Sequence, residues 1–501
     1  MLPPSSSRGA RRRSRRSRRS SDAPDSGVSI PWPLRALGRG LLVSLSLLAA
    51  CGNGDDGDRE PSGSGDPPPI QTGSQRGDLL AQPIQRHALS RNDIDDLSRD
   101  EALRAVTGDA DCAVTVHEID YQTVGGRGEP TNATAAVMVP SGEGCDGPRP
   151  VVLYARGTSS DRAKNMANVD SDTEATAILA LFAARGFTVV APNYTGYDRS
   201  TLAYHPYLIA DAQADDMIDA LRAFRKAAPA LAAADSGQLF VTGYSQGGFV
   251  AMATHRAIDL RYPAEFRVTA SAPMSGPYAL ADFQNRIFSG EQNVDAALFT
   301  PMLINGLQNV YGNLYGSPSD IYAAPYDQIV PGLLPSTDPD ATHRLPAGAD
   351  GSYRTLFDLG DGQPYLYKAS FRQTGLTPSS GFVQDVQANS LPGGWAPAVP
   401  MALCYGHDDP TVFGMNTEAA ERAFAARGAS VRRWDVEDSD TVPTALSNTF
   451  RTVKEAIRLS AGGGTAGERQ LLATYHAGLV PPFCMSLARG FFSDVLGGKV
   501  D

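Results

Sequence analysis

Ser245 sits in Gly243-Tyr244-Ser245-Gln246-Gly247, and it is the only serine in the chain with glycine two positions away on both sides. A hydroxyl attacks a carbonyl carbon only when it is held clear of its own backbone beside a base. A tight strand-to-helix turn does this, and it crowds the positions two residues either way, so both must be small. The apolar run Gln238-Leu-Phe-Val-Thr242 precedes the pentapeptide and a helix-like run from Gly248 to Leu260 follows it, which is the setting such an elbow requires. In a chain with 50 glycines in 501 residues the pattern alone carries little weight, so the partners decide.

Those partners lie downstream. Pro400-Met-Ala-Leu-Cys404 reads as a buried strand, and Asp409 follows three residues past Gly406, with Val412 beyond. This spacing favours Asp409 over the adjacent Asp408, which has the character of a solvated turn residue. Tyr475-His476-Ala-Gly478 then supplies a histidine in a glycine-containing loop. The other six histidines are worse placed: His87 in a polar N-terminal tether, His117 on a strand before the serine, His205 in a His-Pro segment, His255 in the elbow helix, His343 in a long insertion and His407 beside the acid. In this scheme His476 takes the Ser245 proton as general base, while Asp409 fixes its tautomer and stabilises the imidazolium. The oxyanion formed on attack needs two backbone donors. One is the amide of Gln246; the other is expected after the strand Pro150 to Ala155, where Thr158 is the preferred donor and Gly157 and Ser159 are near alternatives. No cysteine or histidine cluster has metal-ligand spacing.

The elements that must position these residues follow from periodicity. Alternation over 114–121 and 133–139 predicts two antiparallel strands. Short apolar strands then alternate with helices: strand 151–155, helix 173–184, strand 187–191, helix 210–227 and strand 239–242. In the long helix Met217, Ile218, Leu221 and Phe224 recur on one face. Such alternation specifies an α/β fold, a mainly parallel sheet covered on both sides, completed by strands at 267–272, 400–404 and 430–436. Between Ser275 and Pro400 the alternation lapses. There Leu298, Met302, Leu303, Leu307, Val310, Tyr311 and Leu314 have helical spacing, which by itself favours an ordinary packed helix over a lid lining an acyl site.

The segment Tyr154 to Ser159, the run Pro192-Asn-Tyr-Thr-Gly196 through His205-Pro206-Tyr207-Leu208, the Gly-Tyr-Ser-Gln-Gly-Gly elbow, Trp395-Ala-Pro, and Tyr475-His476 with Pro482-Phe483-Cys484 together resemble the secretory lipase family. This is the fungal lipase A type and its bacterial relatives within the α/β-hydrolases, whose chain order is also Ser, Asp, His. The resemblance runs over roughly residues 100 to 495, with Arg156 standing where several members carry histidine. It implies an α/β-hydrolase fold and hydrolysis of an ester or lipid small molecule without a metal or organic cofactor. It also implies a cap inserted before the acid-bearing strand, at about 276–399, with Leu298, Leu303 and Leu307 as acyl-site candidates.

Residues 1–50 hold ten arginines against two acids and end in the apolar run Gly40 to Ala50, of signal-peptide length and too short to span a membrane. Leu48-Ala49-Ala50-Cys51 has the form of a bacterial lipobox, so the expectation is an exported lipoprotein held at the outer membrane or cell surface through lipidated Cys51. A Gly, Pro and acid-rich tether is expected over 51–90, and the hydrolase domain over 91–501. With the leader removed the charge goes from −11 for the whole chain to −19, which disfavours nucleic acid as a partner. Cys112, Cys145, Cys404 and Cys484 remain for an oxidising setting. Of three possible connectivities, Cys112–Cys145 and Cys404–Cys484 is the expected one. A peptidase or amidase of the same fold and a non-catalytic surface-binding lipoprotein are the alternative functions; the natural ester and the oligomeric state stay open.

Overall fold

The computed structural model describes residues 75–99, 101–346, 356–358, 360, 362 and 364–500. The expected leader, the expected lipidation at Cys51 and most of the expected tether lie outside them.

The described residues form one nine-stranded sheet in the order β1-β2-β3-β5-β4-β6-β7-β8-β9. It opens with β1 (Ile84–Leu89), helices α1 (Arg91–Leu97) and α2 (Glu101–Thr107), and the long hairpin β2 (Ala113–Val124) and β3 (Pro130–Ser141). From β4 (Pro148–Ala155) the chain alternates through α3 (Thr173–Leu181), β5 (Thr188–Pro192), α4 (Ala210–Ala227), β6 (Ala234–Tyr244), α5 (Gln246–Arg261) and β7 (Ala270–Met274). The pairs β4–β5, β4–β6 and β6–β7 are parallel, the outcome expected when each return to the sheet is made through a helix. Both faces are covered. Val151, Leu153 and Val241 join α4 and α5 in one core, whereas the alternate residues Val152, Tyr154 and Phe240 join α3 and the C-terminal helix in the other, as the period-two pleat requires.

The strand Ile84–Leu89 corrects the tether boundary. It pairs antiparallel with β2, and ahead of it Gly77 N donates to Gln122 O at 2.8 Å while Arg76 Nε bonds Asp219 Oδ2 at 2.8 Å. The segment therefore joins the domain well before residue 90. Its side chains are mostly exposed at the sheet edge, so edge pairing by the backbone left no hydrophobic alternation to read.

Between β7 and β8 (Ala402–Tyr405) the cap comprises α6 (Leu280–Ser289), α7 (Ala296–Tyr311), α8 (Tyr326–Ile329), α9 (Ala369–Gly375) and α10 (Gly381–Ala388). Phe288 is its hub, with ring centroids 5.2 to 5.7 Å from those of Phe357, Phe371 and Phe382. The chain ends with α11 (Met415–Ala425), β9 (Arg432–Asp435), α12 (Thr444–Ser460), α13 (Gly464–Thr474), a π-helical turn Tyr475–Leu479 and α14 (Val480–Leu496). Both disulfides form as expected: Cys112–Cys145, and Cys404–Cys484, which ties β8 to α14.

Candidate active site

Ser245 lies between the end of β6 and the first turn of α5, at φ 60° and ψ −120°. This positive φ is rare for a residue with a side chain and costs about 1–3 kcal/mol unless its surroundings impose it. Here they do. The Ser245 N–H donates to Met274 O at 3.0 Å, and a Cβ on Gly243 or Gly247 would lie 2.3 or 1.9 Å from Ala155 O. The two glycines thus let β4 close against the elbow.

The His476 ring spans the serine and the acid. Its Nδ1–H donates to Asp409 Oδ2 at 2.6 Å, which leaves Nε2 to accept from Ser245 Oγ at 2.7 Å. The other Asp409 oxygen accepts the N–H groups of Thr411 and Val412 at 2.9 and 3.0 Å, and the side chain is fully buried. His476 does not sit in a loop. The π turn inserts it into one continuous run of helix between α13 and α14, where Tyr244 Oη bonds its carbonyl at 2.6 Å. Asp408 points the other way, to Lys454 Nζ at 2.8 Å. Burial would raise its carboxyl, but the bond and charge of Lys454 outweigh this and hold it below the ordinary range.

Lys454 also bonds Glu437, which accepts from Tyr475 Oη. His407, Asp408 and Glu437 converge as cation ligands would, yet the Lys454 ammonium already bonds both carboxylates and His407 bonds Asp435 at 2.7 Å. Among the described histidines only His476 reaches Ser245. His255 bonds Ser271 at 2.9 Å inside the core, where burial pulls it down to about 3.

Of the oxyanion candidates, the structure removes one. The Gly157 N–H is already taken, by Glu174 Oε1 at 2.7 Å. The N–H groups of Gln246 and Thr158 have no acceptor among the described residues. A cavity opens at Ser245 and Gln246. Its walls are Leu280, Phe283, Ile287 and Phe288 of α6, and Ala296, Phe299, Thr300 and Leu303 of α7. Of the three acyl-site candidates Leu303 alone lines it. Leu307 is fully buried in the core and Leu298 packs against its edge: the cavity follows the Ala296, Thr300 and Leu303 stripe of α7 and ends a turn before Leu307, while Leu298 lies off that stripe.

One neighbour of the triad has no motif to announce it. Asp295, at the N-cap of α7, accepts from Thr411 Oγ1 at 2.7 Å, and with the Val294 N–H donating to Pro410 O at 3.2 Å this ties the cap to the loop that holds Asp409. Burial pushes the Asp295 carboxyl above its ordinary value, against the Thr411 bond and the charge of His476.

Residues 173–272 match the prolyl oligopeptidase family, a stretch from α3 to β7 that holds Ser245 but neither Asp409 nor His476. No curated protein matches the chain. Among solved structures, the rice cell wall degrading esterase LipA from Xanthomonas oryzae is 31% identical, over 76% of this chain and 96% of that one, with a TM-score of 0.65. A Legionella pneumophila protein is 20% identical over 78% of this chain and 96% of its own, TM-score 0.62. Candida antarctica lipase A in its closed state is 13% identical over 82% and 91%, TM-score 0.52; these two likenesses bear on fold alone. The extent and identity of the LipA match, on a mainly parallel sheet with a cap before β8, mean that the chain belongs to the lipase-type α/β-hydrolases.

Proposed function

We propose that the protein is an exported, lipid-anchored lipase or carboxylesterase that cleaves carboxylic esters through an acyl-enzyme. Ser245 Oγ attacks the ester carbon as its proton passes to His476 Nε2, and Asp409 stabilises the imidazolium that forms. The tetrahedral oxyanion is received by the N–H groups of Gln246 and Thr158. Collapse expels the alcohol with the proton from His476, and water then repeats the sequence to release the acid and restore Ser245. The observation that carries this reading is the Ser245–His476–Asp409 hydrogen-bond chain opening into a cavity walled by phenylalanine and aliphatic side chains.

The match of residues 173–272 to the prolyl oligopeptidase family favours a second reading, a peptidase or amidase of the same fold. Against it stands the likeness to an esterase over three quarters of the chain. For export, support comes from the Leu48-Ala49-Ala50-Cys51 sequence and from two disulfides, which persist outside reducing compartments.

The test combines labelling with turnover. A fluorophosphonate should modify the wild type at Ser245 and not Ser245→Ala, and a series of p-nitrophenyl esters should be cleaved far faster than matched anilides. Anilides cleaved as fast as esters would replace the esterase reading by the amidase one. Preference for acetate over octanoate would remove the lipase part. Labelled palmitate should enter the wild type and not Cys51→Ser; its failure to enter the wild type would end the lipid-anchor part.

A further inference from the structure

Arg156 is the largest fully buried side chain in the described residues, at 0% exposure, and it directly precedes the oxyanion candidates. Its hydrogen bonds run to carbonyls: Nε and Nη2 to Asn193 O at 3.1 and 2.8 Å, and Nη1 to Gly157 O at 2.7 Å. Its charge is met by aromatic faces, with the guanidinium carbon 4.7 Å from the ring centre of Tyr194 and 4.0 Å from that of Tyr197. A buried cation without a paired anion is costly, so such an arrangement calls for a use.

The same rings pin the loop itself. Tyr194 Oη donates to Arg156 O at 3.0 Å and Tyr197 Oη to Ser159 O at 2.6 Å, while Glu174 holds the Gly157 N–H. In this stretch the N–H groups of Thr158 and Ser159 stand without an acceptor among the described residues, and of the two the Thr158 N–H shares its peptide with the Gly157 carbonyl that Arg156 holds. A trans peptide is planar, with its C=O and N–H on opposite edges, so whatever holds the Gly157 carbonyl also aims the Thr158 N–H. The loop lies against the elbow: the position of a Cβ on Gly157 lies 3.6 Å from Tyr244 O, and Thr158 Oγ1 meets the cavity residue Tyr207 at 3.0 Å. The other donor is tied into the same cluster, since Gln246 Nε2 bonds His205 Nε2 at 2.7 Å and His205 stacks on Tyr194 at 5.6 Å. Burial, and then the charge of Arg156, pull His205 down to about 3, so it is a neutral acceptor for that amide.

We propose that Arg156 is a positioning residue for the second oxyanion donor: its guanidinium, boxed by Tyr194 and Tyr197, grips the Gly157 carbonyl and so directs and polarises the Thr158 N–H toward the charge that develops on attack by Ser245. The inference rests on the ester-hydrolase reading above. It assigns Arg156 no contact with substrate. Its effect passes through one peptide group and through a cation whose field is little screened in the dry interior.

The experiment compares wild type, Arg156→Met and Arg156→Lys on p-nitrophenyl butyrate, with kcat expressed per serine titrated by fluorophosphonate. Loss of one oxyanion donor costs about 10²–10³ in kcat, and this is the fall expected for Arg156→Met with KM changed by less than about threefold. The affinity of a trifluoromethyl ketone, which forms a serine-bound oxyanion, should drop by a similar factor. Arg156→Lys keeps the charge but not the fork and should recover part of both losses; should the methionine variant not fold, the lysine variant carries the same split at about tenfold. Variants with fewer titratable serines and a lower Tm, but wild-type kcat per serine and wild-type ketone affinity, would reduce Arg156 to a structural residue and leave the hydrolase reading standing. A wild type that neither labels nor turns over would overturn that reading and this inference with it.

Discussion

Ser245, His476 and Asp409 are arranged as a unit, with 2.7 and 2.6 Å between successive polar atoms, so their removal should not be additive. Ser245→Ala and His476→Ala should each lower kcat by about 10⁴ or more, and the double variant should lose little beyond either alone. Additive losses would dissolve the triad. Asp409→Asn should be severe because it presents the wrong hydrogen-bonding partner to Nδ1. Asp408→Asn should be mild, since that carboxylate is spent on Lys454; the reverse order of rate losses would move the acid. Single residues were legible in the sequence where local sterics or spacing constrained them. Gly243 and Gly247 pointed to Ser245 because any Cβ there meets the β4 backbone, and the distance from Gly406 singled out Asp409. Asp295 was not legible, because its closeness to His476 exists only once α7 folds back over the acid loop.

At the level of elements, strands flanked by helices were legible and termini less so. The helix at 210–227 emerged at its expected bounds, its apolar face being dictated by the sheet beneath. The cap defeated the pattern: Leu303 and Leu307 lie one turn apart on the same buried face of α7, yet only Leu303 lines the cavity, and periodicity finds a face without showing how far along it a cavity reaches. Leu303→Trp should therefore shift the preferred ester toward short acyl chains while leaving acetate nearly untouched, as each methylene denied burial forgoes about 0.8 kcal/mol. A uniform loss over all chain lengths would mean that Leu303 serves packing alone. The π turn was also invisible, since Ala477 and Gly478 read as a loop. What secures that turn is the Cys404–Cys484 bond, spanning 80 residues and joining the strand before Asp409 to the helix after His476. In the chain-entropy view such a loop contributes about 4 kcal/mol. Cys404→Ala/Cys484→Ala should lower Tm and kcat together; a lower Tm with unchanged kcat would confine the bridge to stability.

For the molecule as a whole, stability should carry the signature of Asp216, fully buried beneath β2 and β5 with Tyr121 Oη at 2.7 Å and Thr195 N at 2.8 Å. Burial raises its carboxyl from 3.8 to about 7. Between those values the folded chain keeps a proton that the unfolded chain has released. This stabilising contribution is complete below about pH 4 and is lost as pH rises through 7, amounting to a few kcal/mol. Asp216→Asn should flatten that slope in urea unfolding followed from pH 4 to 8, and an unchanged slope would refute the assignment. The chain order of the site has a consequence in time. Ser245, the proposed nucleophile, precedes His476, its proposed base, by 231 residues, which at about 5–20 residues per second of synthesis is roughly 10–50 s. Throughout that interval a growing chain displays the elbow serine with nothing to take its proton. On the proposed triad, any fragment that stops short of His476 should bear the serine and leave esters intact.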